Sequence, residues 1–405
     1  MCRCRGNVEN RLAPHPVITS SALSPRPKRT HTRLRMRSFG YGHAAGSNWR
    51  TIVECCLEQS GTQARGANLG FLYANDVFSG QLDEILDVLR ERTGVQQWVG
   101  SVGIGVSATG KEYFDEPAMA LMLGEFPEDS FEVLPAIRGL EGLPPGPFLA
   151  NGALANFAII HADPRNGHVP ALVSAISKKL ESGFAVGGLT SSRRGYFQIA
   201  NLVTSGGISG VLFSSDVVVS TRLTQGCSPA GPCHTITECQ KNVVMTLDGR
   251  PAFDVLSEDV GEALALSPQR LGGRIFAGFP VAGSDRADYF VRNLIGVDPE
   301  SKLVAIGESL HEGMPMMFCR RDASSAVEDL VEMLESMKEG LFTRPRGAVY
   351  YSCLGRGPSL FGPNSEELNL IRQSLGPVPL VGFFCNGEIS HNRLYGYTGV
   401  LTLFL

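Results

Sequence analysis

The sequence lacks the features that identify several common functional classes. Its net charge is only -4 at pH 7, so it has no overall attraction for nucleic acid or for an anionic membrane surface. No apolar run reaches the roughly 18 to 20 residues that a membrane-spanning helix needs. A phosphate-binding P-loop, a dinucleotide-binding glycine fingerprint and a protein-kinase signature are also missing. These absences favour a soluble globular protein without a familiar catalytic motif.

Cysteine is present, but in no arrangement typical of a disulfide scaffold. The ten cysteines are scattered along 405 residues, which favours reduced thiols in a cytoplasmic protein. Cys227, Cys233 and Cys239 are evenly spaced near His234, so a metal site there is one alternative. That spacing is not typical of zinc ligands, and we therefore expect no metal.

The first 47 residues differ in composition from the rest of the chain. Between Met1 and Gly40 there are nine Lys or Arg residues and a single acid, Glu9. The segment has no apolar periodicity and no apolar core of a secretory signal. We predict that residues 1–47 are a disordered tail or the product of a misassigned start codon, with Met36 as the true start.

Internal repetition is the most informative pattern. An apolar run, a glycine-containing loop, an aromatic residue and a second apolar run recur four times, roughly 90 to 100 residues apart. The glycines that mark the four copies are Gly100, Gly187, Gly278 and Gly382. In at least three copies a short apolar strand and an amphipathic helix come before the glycine, and the third copy is irregular.

The helices of these copies are predicted at 81–92, 170–180, 252–266 and 365–375. Ser365 stands where a residue could cap the last of them. Helices with one apolar stripe cover one face of a sheet. The sequence therefore predicts an α/β (α+β) fold of strand–helix–strand–Gly loop–strand units, which form two packed sheets with helices on the outside. We place the boundary between two domains at 220/221.

Glycine loops after apolar strands leave backbone N–H groups free to face a polar ligand. If the copies are related by pseudo-symmetry, their loops meet between the halves and form a pocket there. Two candidates from the second copy, Gly187 and Gly188, belong to this prediction.

The C-terminal loops carry the most polar side chains. The candidates for ligand binding there are Cys353, Arg356, Asn386, Gly387 and Glu388. We expect Arg356 and Glu388 to wall the pocket; the alternative is that they form a buried ion pair, which only fixes the loops.

A rigid stretch rich in glycine and proline adds two further ligand-binding candidates, Arg222 and Cys227. A hydrolase that uses Cys227 or Ser228 as nucleophile and His234 as base is an alternative, although nothing in the sequence orients the histidine.

Three C-terminal stretches and one central stretch carry a family resemblance. They are Asp248–Ala252, Cys353–Gly357, Gly382–Ile389 and Leu394–Leu401. Through them the chain resembles the FIST (F-box and intracellular signal transduction) family. The resemblance implies an N-type domain over 48–220 and a C-type domain over 221–405, with the N-terminal half matched more loosely.

The resemblance also implies a function. Members are sensory, ligand-binding proteins of bacterial signalling, with amino acids proposed as ligands. We therefore expect a small-molecule sensor that acts on a separate signalling partner such as a histidine kinase, without nucleic acid or membrane. Some members bind haem and report nitric oxide. In that alternative His161, directly after a predicted strand, is the candidate axial ligand.

Overall fold

The computed structural model describes residues 37–146, 149–261, 271–281 and 289–405. The predictions for residues 1–36, including a start at Met36, lie outside the described residues. The α-helices within these ranges are α1 (Trp49–Ser60), α2 (Leu82–Thr93), α3 (Val169–Lys179), α4 (Ala252–Val260), α5 (Ala323–Glu339) and α6 (Glu366–Leu375). The helices predicted at 81–92, 170–180 and 365–375 are confirmed to within one residue at each end.

The strands account for more of the described chain than the helices do. In chain order they are β1 (Gly40–Ala45), β2 (Leu69–Asn75), β3 (Gln97–Gly103), β4 (Gly105–Ala108), β5 (Lys111–Phe114), β6 (Ala118–Gly124), β7 (Phe131–Ile137), β8 (Phe157–Ala162), β9 (Phe184–Leu189), β10 (Gln198–Ala200), β11 (Leu202–Thr204), β12 (Ile208–Phe213), β13 (Val219–Thr224), β14 (Cys227–Pro229), β15 (His234–Gln240), β16 (Val243–Leu247), β17 (Arg250–Pro251), β18 (Ile275–Pro280), β19 (Tyr289–Asp298), β20 (Leu303–Ile306), β21 (Pro315–Arg321), β22 (Gly347–Cys353), β23 (Leu380–Cys385), β24 (Glu388–His391), β25 (Arg393–Tyr395) and β26 (Gly399–Phe404).

Three of the four predicted copies share one topology. In each, a strand leads through a helix to a parallel neighbour, as in β2–α2–β3, β8–α3–β9 and β22–α6–β23. Two antiparallel strands complete each set, in the orders β1-β6-β2-β3, β7-β12-β8-β9 and β13-β26-β22-β23. We call these the first unit (β1–β6), the second unit (β7–β12) and the last unit (β13 with β22–β26).

Each unit gives a hairpin to the sheet of another unit. The β4–β5 hairpin of the first unit pairs with β23, β10–β11 of the second pairs with β3, and β24–β25 of the last pairs with β9. Each of the three six-stranded sheets therefore contains strands from two units. Their inner faces share one core, to which Phe71, Phe157 and Val349 belong. The helices cover the outer faces.

The repeated glycines lie inside strands rather than in loops, which corrects the sequence-based expectation. Gly100, Gly187 and Gly382 occupy the same position in β3, β9 and β23. A Cβ atom at any of them would collide with a carbonyl oxygen of the parallel strand alongside. A side chain is excluded because the two backbones approach too closely, so the repeat pattern reports packing between strands.

The third predicted copy is not a copy of the same unit. The chain between β13 and α5 forms an inserted body, here called the barrel, in which β21, β15, β16, β20, β19 and β18 pair in a closed antiparallel ring. Helix α4 packs on its apolar core through Phe253 and Leu256. A Cβ atom at Gly278 would meet the side chain of Cys319, not a neighbouring backbone. The match of Gly278 to the other three glycines is therefore a coincidence of spacing.

The predicted α/β class and the external helices are confirmed, but the predicted number of two sheets is wrong. The described residues contain four sheets, because each of the three units contributes most of one sheet and the barrel forms a fourth. Residues 40–45, placed in a disordered tail by composition, form β1 and pair with β6. The domain boundary at 220/221 stays a prediction. No helix in the described ranges is both long enough and apolar enough to cross a bilayer.

Candidate functional site

The turn after the first parallel strand is built alike in all three units. Asn75, Asp163 and Cys353 stand three residues beyond the carbonyl that faces the repeated glycine, so they are equivalent positions. Each side chain accepts a hydrogen bond from the backbone N–H two residues ahead, at 3.2, 3.0 and 3.5 Å respectively. Such a bond closes the turn locally. The thiol of Cys353 thus has a structural role that its position explains.

The last unit differs because its turn continues into a buried arginine. Arg356 is 0% exposed, and its Nε donates to Oε1 of Glu367 on α6 at 2.7 Å. Glu367, also 0% exposed, accepts further hydrogen bonds from the hydroxyls of Tyr350 and Ser352 and from the N–H of Gly357. A buried ion pair is stable only when its remaining atoms are hydrogen-bonded, and Glu367 meets this requirement.

Arg356 does not meet that requirement completely. Its Nη1 donates to the carbonyl of Gln225 at 2.8 Å, and its guanidinium lies 4.8 Å from the centre of the Phe361 ring. Its Nη2 is buried and has no hydrogen-bond partner. An orphaned donor on a buried guanidinium is costly, so it needs an explanation.

Glu388 carries a second orphaned atom. Its Oε2 accepts from the N–H of Thr398 at 3.1 Å and from the Thr398 hydroxyl at 2.8 Å, whereas Oε1 is buried without a partner. Burial raises the pKa of Glu388 to about 8, although the bonds from Thr398, the charge of Arg356 and the Cys353 thiol oppose the rise. The carboxyl is therefore mostly neutral at pH 7. The ion pair considered between Arg356 and Glu388 is formed by Arg356 and Glu367 instead.

Tyr397 and Arg321 connect the barrel to the part of the last unit that contains Arg356 and Glu388, which we call the corner of the last unit. The Tyr397 ring packs on Phe276 with centroids 4.2 Å apart, and its hydroxyl donates to Asn293 at 2.9 Å. Tyr397 has a φ of 62°, which is unusual for a bulky residue. From β21, Arg321 donates to the Gly355 carbonyl and to the Ser359 hydroxyl. The site thus lies where the last unit meets the barrel.

Comparison with known proteins identifies the family of the chain. The FIST N domain profile matches residues 68–250, and the FIST C domain profile matches residues 252–391. The chain belongs to the FIST family. A Mycobacterium tuberculosis protein is 30% identical over 353 residues, covering 83% of this chain and 91% of that protein. A Mycobacterium bovis protein is 28% identical over 352 residues, covering 84% and 90%. Both relatives are described as uncharacterized. FIST domains are sensory modules of signal transduction.

The other predicted ligand-binding residues of this FIST protein fall into two groups. Gly188 on β9 pairs directly with Glu388. The N–H of Asn386 donates to the Leu189 carbonyl at 2.9 Å, and Gly387 connects Asn386 to Glu388 in the chain. These residues therefore surround Glu388. Gly187 is explained by strand packing, as described above. Arg222 lies on the edge strand β13, and its Nη1 donates to the Thr221 carbonyl.

His161, the candidate haem ligand, lies at the centre of the three-sheet core. The ring is 0% exposed, and its Nε2 lies 3.1 Å from the Tyr73 hydroxyl. Tyr351 and Phe383 pack around it. Burial lowers the pKa of His161 to about 3, so the imidazole is neutral. Haem binding there would require these rings to move, and it stays a prediction that a Soret absorbance band would test.

The structure does not pair Cys227 with His234, so it gives no support to Cys227 as the nucleophile of a hydrolase, and the alternative with Ser228 stays a prediction. The two His234 nitrogens lie 2.7 Å from Asp248 and 3.0 Å from Asp259. Burial raises the pKa of the Cys227 thiol to about 12, which opposes a thiolate nucleophile. Among the described residues no cluster of His, Cys, Asp and Glu suits a metal ion.

Sequence reasoning missed two buried acids at the start of α6, Glu367 on the helix itself and Glu112 beside it. Glu112, on the hairpin donated by the first unit, accepts from the Leu368 N–H at 3.2 Å. Burial, with the nearby charge of Glu367, raises the pKa of Glu112 to about 8. Ser365, predicted to cap α6, instead accepts the Glu112 N–H at 2.8 Å. Only the exchanged hairpin brings these residues together.

Proposed function

We propose that this FIST protein is a cytoplasmic sensor that binds a small molecule, such as an amino acid or a similar metabolite, between its last unit and the barrel. It then acts on a separate signalling protein, for which a histidine kinase is the leading candidate. No catalytic step is part of the proposal.

The observation that carries the proposal is a pair of buried, unpartnered atoms on neighbouring segments, Nη2 of Arg356 and Oε1 of Glu388. Folded proteins satisfy nearly all buried polar atoms, and exceptions commonly mark places where a ligand or water completes the bonding. The turns at Asn75, Asp163 and Cys353 are all closed by a bond from their own backbone, and the last unit differs in continuing from this turn into a buried arginine. The departure from the repeat therefore coincides with the incomplete bonding.

Position supports a sensory role as well. Arg356 bonds to Gln225 at the start of the barrel, and Tyr397 packs on Phe276 within the barrel. A ligand bound beside these residues contacts two separately cored bodies. Differential contact with two arrangements of such bodies is what allows a ligand to shift a conformational equilibrium.

Thermal unfolding in the presence of a metabolite panel, including the twenty amino acids, tests the proposal. A ligand at 100 times its dissociation constant adds about 2.7 kcal/mol to stability. The Thr398→Val variant removes the hydroxyl that orients Glu388, so it should lose most of the ligand-induced shift. Thr402→Val, an equally buried substitution on β26, is the matched control and should keep the shift. A panel without any stabilising compound, or equal shifts in both variants, would overturn this location.

A further inference from the structure

We infer that the ligand presents an anionic group, a carboxylate or a phosphate, to the guanidinium groups of Arg321 and Arg356. This inference rests on the function proposed above and names the chemistry of its ligand. It differs from recognition of a whole amino acid, because it assigns no place to an ammonium group.

Arg356 supplies the inner half of the site. Nε and Nη1 are engaged by Glu367 and by the Gln225 carbonyl, and these bonds fix the plane of the guanidinium. Nη2 remains as an oriented, fully buried donor. A donor held in this way loses little conformational entropy when it binds a planar or tetrahedral anion.

Arg321 supplies the outer half. It ends β21, where it pairs with Cys227, and its Nη2 is held by the Gly355 carbonyl next to Arg356. Its Nε is buried without a partner, although the residue as a whole is only half-buried. The charges of both arginines lower the pKa of the Cys227 thiol, against the larger effect of burial, so both guanidinium groups lie near one thiol. The half-buried Arg321 thus leads from solvent toward Arg356.

Glu388 adds a donor, not an acceptor. Both Thr398 donors bond to Oε2, which leaves the proton of the neutral carboxyl on Oε1. The groups that face this carboxyl are Cys353, Cys385, Arg356 and Tyr397, and none of them is an anion at neutral pH. Three of the unpartnered atoms in this region, Nη2 of Arg356, Nε of Arg321 and Oε1 of Glu388, are therefore donors. A cluster of donors, two of them cationic, complements an anion and repels an ammonium group.

The ring of Tyr397 covers the route by which an anion would reach Arg356. A Cβ atom at Gly355 would lie 2.8 Å from the Tyr397 ring, so the ring rests directly on the loop that carries Arg356. The left-handed φ of 62° costs backbone energy, which a change in the backbone conformation of Tyr397 would release. Ligand entry past Arg321 requires the Tyr397 ring to shift, which would also disturb its contacts with Phe276 and Asn293 in the barrel.

Isothermal titration calorimetry at about pH 7 separates the ligand classes, since most carboxyl and guanidinium groups are ionised there, with Glu112 and Glu388 as exceptions. The probes are inorganic phosphate, succinate and putrescine, each at the same ionic strength set with sodium chloride. We expect binding of phosphate or succinate, and the stronger of the two identifies the anion. Putrescine should not bind.

Two neighbouring arginines provide the variants. Arg321→Gln should weaken anion binding by roughly 10- to 100-fold, the value of a charge-assisted hydrogen bond. Arg320→Gln removes the same charge from the adjacent, exposed residue of β21 and should bind as the wild type does. Putrescine binding, or equal affinity in the two variants, would overturn the inference. If a neutral or cationic metabolite stabilises the protein while phosphate and succinate do not bind, the inference fails and the sensory proposal stands; if nothing binds, both fail.

Discussion

The first two units and the last unit follow one plan but differ at a single corner. Asn75 and Asp163 close their turns with hydrogen bonds to side-chain oxygens at 3.2 and 3.0 Å, and the turn of the last unit uses the sulfur of Cys353, a weaker acceptor, at 3.5 Å. Beyond Cys353 the chain buries Arg356 against Glu367 and leaves one guanidinium nitrogen without a partner. The shared plan accounts for the scaffold, and the departure marks the place where we propose that a ligand binds.

The largest expected effect comes from breaking the buried pair of the last unit. Glu367→Gln leaves Arg356 as an uncompensated buried charge, and it should lower the free energy of unfolding by about 3–5 kcal/mol. Glu84→Gln breaks the exposed pair with Arg50 and should cost about 1 kcal/mol or less. Urea denaturation of both variants makes the comparison. Similar losses would mean that the corner is not special.

A smaller effect should separate the repeated glycines from the barrel glycine. Gly382→Ala places a Cβ against the Tyr350 carbonyl, so we expect a loss of at least about 1–3 kcal/mol from overpacking. Gly278→Ala meets the movable side chain of Cys319 and should cost less. Chemical denaturation tests this ranking, and the reverse order would contradict the equivalence of the three units.

The next largest effect on stability is expected at the turn that follows β2 in the first unit. Asn75→Ala removes the acceptor for the Val77 N–H and should cost about 1 kcal/mol, as loss of a local cap does. Asn151→Ala removes the same kind of bond to Ala153 in an exposed loop, where we expect a change within about 0.5 kcal/mol. Equal thermal shifts for the two variants would argue against a structural role for the buried turn.

The smallest effect concerns the barrel and pH. The partners Asp248 and Asp259 raise the pKa of His234 despite its partial burial. The stabilisation is complete below the unfolded pKa of about 6.5, and it is lost as pH rises through the folded value. We expect a loss of about 1 kcal/mol or less. Hydrogen exchange of β15 and β16 amides should quicken with pH beyond its intrinsic rise, and His234→Gln should abolish that excess. An unchanged excess in the variant would exclude His234.

Local patterns allowed part of this architecture to be predicted. The apolar stripe of α2 and the recurrence of Gly100, Gly187 and Gly382 report contacts within a unit, and both were recognised in the sequence. Hairpin exchange was not, because the pairing of β4 with β23 joins residues far apart in the chain and leaves no periodic signal. The prediction of four equivalent copies failed at the barrel. Gly278 has the spacing of the repeated glycines, but the strands around it do not form the same unit.

The same limit applies to the candidate site. Arg356 and Glu388 stood out because polar residues followed apolar strands and glycines. The choice of Glu367 as the partner of Arg356 depends on how α6 lies over β22, and burial of Glu112 depends on a hairpin from another unit. Arg321 sits on a barrel strand whose docking no local pattern indicates. Tertiary placement therefore decides which of several acids and arginines form the site.

Because of hairpin exchange, some strands are synthesised long before the strands with which they pair. Strand β9 is synthesised long before β24, its neighbour in the finished sheet, and β4 precedes β23 by an even longer stretch of chain. A nascent chain that has finished its second unit still presents bare strand edges, which are templates for aggregation. A premature stop codon after β23 would thus leave the β9 edge of the second unit unpaired, although that unit is itself complete in sequence.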